Sequence, residues 1–423
     1  MRTGVQRPGG VPAAGSDPVL AWRRNLAALT AASFIGFTGF TLVMPFLPLY
    51  MAELGVRDVG SIALWTGFTL GVTPAITALL APAWGRLADR FGRKLLVARS
   101  LASFVVIMAA MAWVTHPWHL FALRAIQGLF AGYVGIALTM AAESAPRDRT
   151  AYAIGTVQTA QRLGPAIGPI IGGLVAQVVG LRRAFLMTSV FYVIALLIVF
   201  VLYDERIVRH ERHVEDDKPV RFRNVLAFEN FILLLAVVFG LQIVDRSYGP
   251  ILPLYVAALG TPLERVPLVS GLIFSIAAGA GAVGNQLCTR LLRVRTPRAI
   301  ISAAAALGGA GALVFLVSPR TAWLFMATPI LGIALGTATT TTYTAASAVI
   351  PASARGAGFG LLTTASLTAL AVSPVLSGLL SATSIRAVFL LDVLVMVAIA
   401  AAVPRLMVTP TPAKATTPVP EEI

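Results

Sequence analysis

PFLPLYMAELG at residues 45–55 returns as PILPLYVAALG at residues 250–260, an offset of 205. The spacing persists along the chain. Gly128 and Gly132 match Gly332 and Gly336 at 204, Pro146 and Gly155 match Pro351 and Gly360 at 205, and RRAFL ending at Leu186 resembles RAVFL ending at Leu390 at 204. A nearly constant offset that survives passage through loops marks a duplication. The repeated unit decides the fold, because each copy is built of long apolar runs.

Composition says where such runs belong. The 423 residues are 57% hydrophobic and only 12% charged, with mean hydropathy +0.83. Soluble domains carry about 25% charged residues, so a water-facing enzyme and a disordered chain are both excluded. Apolar runs fall at 26–50, 61–84, 95–114, 118–142, 151–179, 184–203, 229–258, 267–289, 299–317, 321–347, 356–381 and 385–404. Each is long enough to cross a bilayer, which takes ~20 apolar residues. Trp22, Trp65, Trp84, Trp113, Trp118 and Trp323 lie near their ends, the depth indole rings prefer. The expected fold is all-α and integral to the membrane: twelve helices in two six-helix repeats. Six crossings per copy preserve topology, so the copies are parallel about an axis along the membrane normal. That arrangement places a binding site between the halves, near the midplane.

The formal charge of +15 has a topological origin. With the N-terminus in the cytoplasm, 24 of the 33 basic residues fall on the cytoplasmic side, six on the other, and Arg124, Arg162 and Arg246 within spans. This bias expects both termini in the cytoplasm of a multi-pass protein of the plasma (bacterial inner) membrane, and it removes the argument for nucleic acid as a partner. The domains read as a disordered N-tail at 1–25, a six-helix bundle at 26–203, a cytoplasmic linker at 204–228, a second bundle at 229–404 and a disordered C-tail at 405–423. One cysteine, Cys288, permits no internal disulfide or cysteine-built metal site. The four histidines form two pairs on opposite sides of the membrane, and no phosphate-binding Gly-Lys-Ser/Thr loop occurs. No metal, cofactor or enzymatic chemistry is expected, nor ATP as a driving force.

Three stretches carry more than topology. PAWGRLADRFGRK, residues 82–94, sits between spans 2 and 3. A topogenic loop needs only positive charge, yet this one spaces Gly85, Asp89, Arg90, Gly92, Arg93 and Lys94 as Gly-x-x-x-Asp-Arg-x-Gly-Arg-Lys. The corresponding loop of the second half, LCTRLLRVRTPR at 287–298, lacks the acid and the glycines. LRAIQGLFAG at 123–132 puts Arg124 about six residues, ~9 Å, inside span 4; it either snorkels to the interface or serves function. GPAIGPIIGG at 164–173 combines Gly164, Gly168, Gly172 and Gly173, which permit close helix packing, with Pro165 and Pro169, which remove backbone donors. SPVLSG at 373–378 is its fragment in the second half.

These stretches resemble the signature loop, the arginine motif and the antiporter motif of the major facilitator superfamily. WRRNL at 22–26 followed by LVMPFLPLYMAELGV at 42–56 is similar to multidrug exporters of the MdtG type within the drug:proton antiporters. The resemblance implies a proton-coupled antiporter that exports lipophilic or amphipathic compounds by alternating access, with small lipophilic molecules, protons and membrane lipid as partners and a monomer as the unit. It implies that the 82–94 loop is a cytoplasmic latch, with Glu143 at the inner end of span 4 as its partner. A carrier for a specific metabolite is the alternative, and a non-transporting sensor a third reading.

Two acids lie well inside spans, Asp245 and Asp392. Asp245 is ~21 Å above an inner start at Phe231, the depth reached by Arg124 from the other side, so the two are expected to face each other across the cavity. Arg246 is a poorer partner, since adjacent helical positions point ~100° apart. Desolvation favours the protonated acid and a neighbouring cation the charged one, a tension that suits a proton carrier. Drug exporters of this superfamily often carry an acid in the first span; here none lies between Asn25 and Glu53. Asp245, Arg124 and Asp392 are therefore the proton-coupling candidates. Phe37, Phe40, Gln158, Gln161, Arg162, Tyr248 and Tyr255 are the candidates for a mostly apolar substrate cavity.

Overall fold

The computed structural model describes residues 18–146, 149–205, 228–350 and 355–408. The tail ends and most of the 204–228 linker lie outside the described residues. Every regular element among the described residues is an α-helix. The first half comprises α1 (Pro18–Leu42), α2 (Leu47–Glu53), α3 (Val59–Phe91), α4 (Arg93–Met111), α5 (Pro117–Phe130), α6 (Tyr133–Ser144), α7 (Thr150–Val179) and α8 (Leu181–Leu202). The second comprises α9 (Phe231–Ser247), α10 (Leu252–Ala258), α11 (Val266–Leu291), α12 (Pro297–Val317), α13 (Thr321–Val349), α14 (Arg355–Ser381) and α15 (Ile385–Leu406). Among the described residues eleven stretches are long and apolar enough to cross a membrane, and α9 with α10 forms a twelfth, bent by 47°.

Three expected spans are broken. The runs 26–50 and 229–258 each divide at their repeated Pro-x-x-Pro: Pro48 and Pro253 fall in the first turns of α2 and α10, where a missing N–H costs nothing. Span 4 divides at Gly132, whose φ of 148° leaves the helical region. The first helix also begins earlier than expected, at Pro18 rather than near residue 26.

The duplication extends to individual contacts. The Tyr50 hydroxyl donates to the Met111 carbonyl at 2.8 Å, and the Tyr255 hydroxyl donates to that of Phe315 at 2.7 Å. Tyr50 packs on Phe185 with ring centroids 4.9 Å apart; Tyr255 packs on Phe389 at 4.8 Å. In the first half the Asn25 amide donates to the Asp204 carbonyl while the Asp204 N–H donates back, at 2.8 and 2.9 Å. In the second, Asn230 and Val408 make the same reciprocal pair, both at 2.8 Å. Each half thus ties its first helix to the chain leaving its last.

The halves meet along two helix pairs, α3 with α14 and α7 with α11. Gly67 lies directly against the carbonyl of Pro374, and Gly271 against that of Pro169. Gly378 meets Ala63, and Gly173 meets Pro267, in the same relation. All four contacts lie in the helix portions remote from the termini. Toward the terminus-bearing end, Gly155 of α7 and Gly360 of α14 have open space where a Cβ would stand, and Tyr152 is 61% exposed. The bundle is closed at one end and open at the other.

Candidate functional site

A cavity of about 600 Å³ lies between the halves, within the range of drug-sized sites. The first half contributes Phe37 and Thr41 of α1 and Gln161, Arg162, Pro165 and Pro169 of α7. The second contributes Asp245, Arg246 and Tyr248 around the bend of α9, and faces of α11 and α13. Those last faces are more polar than expected. Thr340 donates to the Asn285 side chain at 2.8 Å, and the hydroxyls of Tyr343 and Ser366 lie 2.8 Å apart. Phe274, Phe315 and Leu331 supply apolar wall on the same side.

Of the expected cavity residues, Phe37, Gln161, Arg162 and Tyr248 line it. Phe40 and Gln158 are exposed and do not line it. Tyr255 is buried inside the second half, its hydroxyl committed to the backbone.

The three proton candidates are not brought together. Asp245 is in the cavity, with Oδ2 3.0 Å from Nε of Arg246, and both side chains are about two-fifths exposed. This corrects the expectation that Asp245 faces Arg124. The neighbours approach in distance, but Nε of Arg246 lacks hydrogen-bond alignment, as divergent positions on one helix would give. Arg124 is buried within the first half and is not a cavity residue. Its Nη1 donates to Gln127 Oε1 at 3.1 Å, while Nε and Nη2 find no hydrogen-bond partner among the described residues. Asp392 is fully buried within the second half, where Ser247 Oγ lies 2.8 Å from its Oδ2.

The 82–94 loop folds around Gly92, the single residue between α3 and α4, with φ 92°. That left-handed value suits glycine and turns the chain without a longer loop. Arg93 pairs with Glu143, and Lys94 Nζ donates to the carbonyls of Tyr203 at 2.6 Å and Phe200 at 3.1 Å. A cation at the end of α8 complements its orphan carbonyls. Arg90 is exposed. Gly85 and Asp89 fall on α3, and their side chains lie outside the described residues. Glu143 and Arg93 belong to the same half, so this pair joins α4 to α6 and does not bridge the halves.

The 164–173 motif has two faces. Gly164, Gly168 and Gly172, four residues apart, receive α1 at Phe37, Thr38 and Leu42. Pro169 and Gly173, also four apart, receive α11. Pro165 lines the cavity between them.

Comparison with known proteins gives the same assignment. The sequence profile of the Major Facilitator Superfamily matches residues 29–366 and, again, 298–422. The chain belongs to the Major Facilitator Superfamily. It is similar to the "Multidrug resistance protein MdtG" of Proteus mirabilis (strain HI4320), 33% identical over 255 residues, 60% of this chain and 63% of that one. The protein of the same name from Dickeya zeae (strain Ech586) is 34% identical over 265 residues, 60% of this chain and 62% of that one. The match thus spans somewhat less than two thirds of these relatives' length. The fold is that of the crystal structure of a bacterial homolog to the human lysosomal transporter Spinster in an inward-facing and occupied conformation. That chain is 16% identical, with TM-score 0.77 over 94% of this chain and 100% of the other. Fold and family are those of multi-pass membrane transporters, not of enzymes.

Sequence reading missed the Asn25 and Asn230 clamps, Ser247 beside Asp392, and the capping role of Lys94. The clamps had a signal: two asparagines 205 residues apart.

Proposed function

We propose that this protein is a proton-coupled antiporter that exports lipophilic or amphipathic compounds by alternating access. The observation that carries this reading is a mixed cavity between two pseudo-equivalent halves that touch at one end only. With both termini in the cytoplasm, as the charge bias favours, the arrangement is open to the inside of a plasma (bacterial inner) membrane. The glycine–carbonyl contacts at the closed end must part, and the terminus-bearing ends close, for the cavity to face outward. The name of the similar multidrug resistance proteins supports drug-like cargo. Arg93 with Glu143 forms the latch region, and the chain works as a monomer. Asp245, Arg124 and Asp392 are its coupling candidates.

A carrier for one hydroxylated metabolite is the second reading, favoured by Asn285, Thr340 and Tyr343 on the cavity wall. Purified protein in proteoliposomes, given a lipophilic dye and an imposed pH gradient, tests the first. Dye movement should follow the gradient and collapse with an uncoupler. Gradient-independent movement would remove proton coupling, and movement of polyols but not dyes would favour the second reading.

A further inference from the structure

We propose that the exchangeable proton is held outside the cavity, on the Asp392 carboxyl beside Ser247, and that the cavity acid Asp245 does not hold it. This rests on the antiport reading above and locates its proton.

The argument is a count of hydrogens. Ser247 Oγ lies 2.9 Å from the carbonyl oxygen of Val244 and 2.8 Å from Asp392 Oδ2. A serine hydroxyl has one hydrogen to donate and lone pairs to accept. One hydrogen can be shared between both oxygens only weakly, so a single arrangement gives two full hydrogen bonds. Ser247 donates to Val244, and the protonated carboxyl of Asp392 donates to Ser247. When the carboxyl gives its proton up to water, the serine must turn its own hydrogen onto Oδ2 and release the Val244 carbonyl. The pair has two hydrogen-bond patterns that differ by one proton.

The surroundings make the first pattern the natural one here. Asp392 and Ser247 are both fully buried, and Oδ1 of Asp392 has no hydrogen-bond partner among the described residues. An uncompensated buried charge is costly. No counter-ion is at hand. Helices α9, α12 and α14 pack on α15. α12 and α14 carry one titratable residue each, Arg298 and Arg355, both in the first turn at the terminus-bearing end. On α9 the charged groups are Asp245 and Arg246, which face each other in the cavity, and Tyr248 adds a phenol. On α15 itself Arg386 and Arg405 stand at opposite ends.

The site is one side chain away from the cavity. Tyr248 lines the cavity and packs on Phe389, one helical turn from Asp392, with centroids 5.8 Å apart. Ser247 is also the last residue of α9 before the 47° bend. The switch between patterns therefore makes or frees a backbone contact at the joint of the broken span. Asp245 has the opposite surroundings: it lines the cavity, its side chain is about two-fifths exposed, and Arg246 Nε lies 3.0 Å from its Oδ2.

The test needs no substrate. Infrared pH-difference spectra of the full-length protein in lipid report the carbonyl stretch of a protonated carboxylic acid. The expected result is a titrating band in the wild type that is lost in Asp392→Asn and kept in Asp245→Asn. In Ser247→Ala the band should remain but shift to the position of a carboxyl without a hydrogen bond; this variant decides the matter if Asp392→Asn fails to fold. Loss of the band in Asp245→Asn with survival in Asp392→Asn overturns the proposal, as does a wild type with no such band or a Ser247→Ala spectrum identical to wild type. Failure of antiport itself reads out separately, as wild-type dye movement that ignores the pH gradient while the band is present.

Discussion

The carbonyl oxygen of Pro169 in α7 faces Gly271 of α11 so closely that a Cβ at position 271 would overlap it. Gly67 and Pro374 repeat the relation across the pseudo-symmetry axis. Any side chain at either glycine pushes against backbone, which cannot swing aside. Gly271→Leu should oppose the closed end by about 1–3 kcal/mol, the usual cost of overpacking, and shift the protein toward the opposite arrangement. A cysteine replacing Ala63, which is fully buried where Gly378 meets it at the same end, should become reactive to an impermeant thiol reagent several-fold faster in a Cys288→Ser, Gly271→Leu background. Unchanged labelling would mean that this interface does not gate the far side.

Glu143 and Arg93 are each about a quarter exposed, so their ion pair contributes at most about 1 kcal/mol to stability. Glu143→Gln should leave expression and thermal stability nearly unchanged while slowing dye transport several-fold. The swapped pair Glu143→Arg with Arg93→Glu should recover part of the rate. Normal turnover of the single variant would remove the pair from the transport cycle.

Asn25 and Asn230 each exchange two hydrogen bonds with backbone at the far end of their own half. Truncation of Asn25 strands a partly buried N–H and carbonyl of Asp204, at up to about 1–3 kcal/mol per unsatisfied group. Asn25→Ala should lower the melting temperature by several degrees. Asn230→Ala, at the more exposed clamp, should lower it less. The double variant should be additive, because the sites share no partner.

The fold was legible because its cause is one-dimensional: apolar run length sets the spans, charge asymmetry sets the loops, and the 204–205 offset sets the repeat. The breaks in spans 1 and 7 were hidden in plain hydropathy, since Pro48 and Pro253 sit inside uninterrupted apolar runs. The pairing of Glu143 with the basic loop was legible because it and Arg93 lie at the same end of their helices. The facing of Arg124 was not. Depth along a helix can be counted, but rotation about it cannot, and rotation decides that Arg124 and Asp392 point into their own bundles while Asp245 points into the cavity. Ser247 escaped notice for the same reason: nothing in the sequence links positions 145 residues apart.

Asp58 caps α3, its carboxylate accepting from the Ser61 N–H at 2.7 Å. The backbone and side-chain hydrogen bonds from Ser61 hold its pKa below the usual carboxylate value. The depressed value means the folded state favours the charged form. The contribution is present above the unfolded pKa of about 3.9 and is lost as pH falls through the lower folded value. Asp58→Ala should melt below the wild type by a constant margin from neutral pH down to about 4, and the gap should close in more acidic solution. Asp58→Asn, which caps without titrating, should show no such closure.

The charge of the cavity constrains its cargo. Arg162, Asp245 and Arg246 are its ionic residues, and because Asp245 is paired with Arg246, the uncompensated charge is that of Arg162. A surplus cation in a cavity walled by Phe37, Phe274 and Phe315 repels lipophilic cations and attracts neutral or anionic amphiphiles, since complementary potential governs which charged ligand enters. Proteoliposomes should therefore take up an anionic fluorescein-type dye in preference to ethidium. Arg162→Gln should narrow that preference, and Arg162→Glu should invert it toward the cation by at least tenfold in relative rate, about 1.4 kcal/mol. The comparison is internal to each variant, so a general loss of turnover cannot imitate it. A wild type that prefers ethidium, with a ratio untouched by either substitution, would show that Arg162 does not face the cargo.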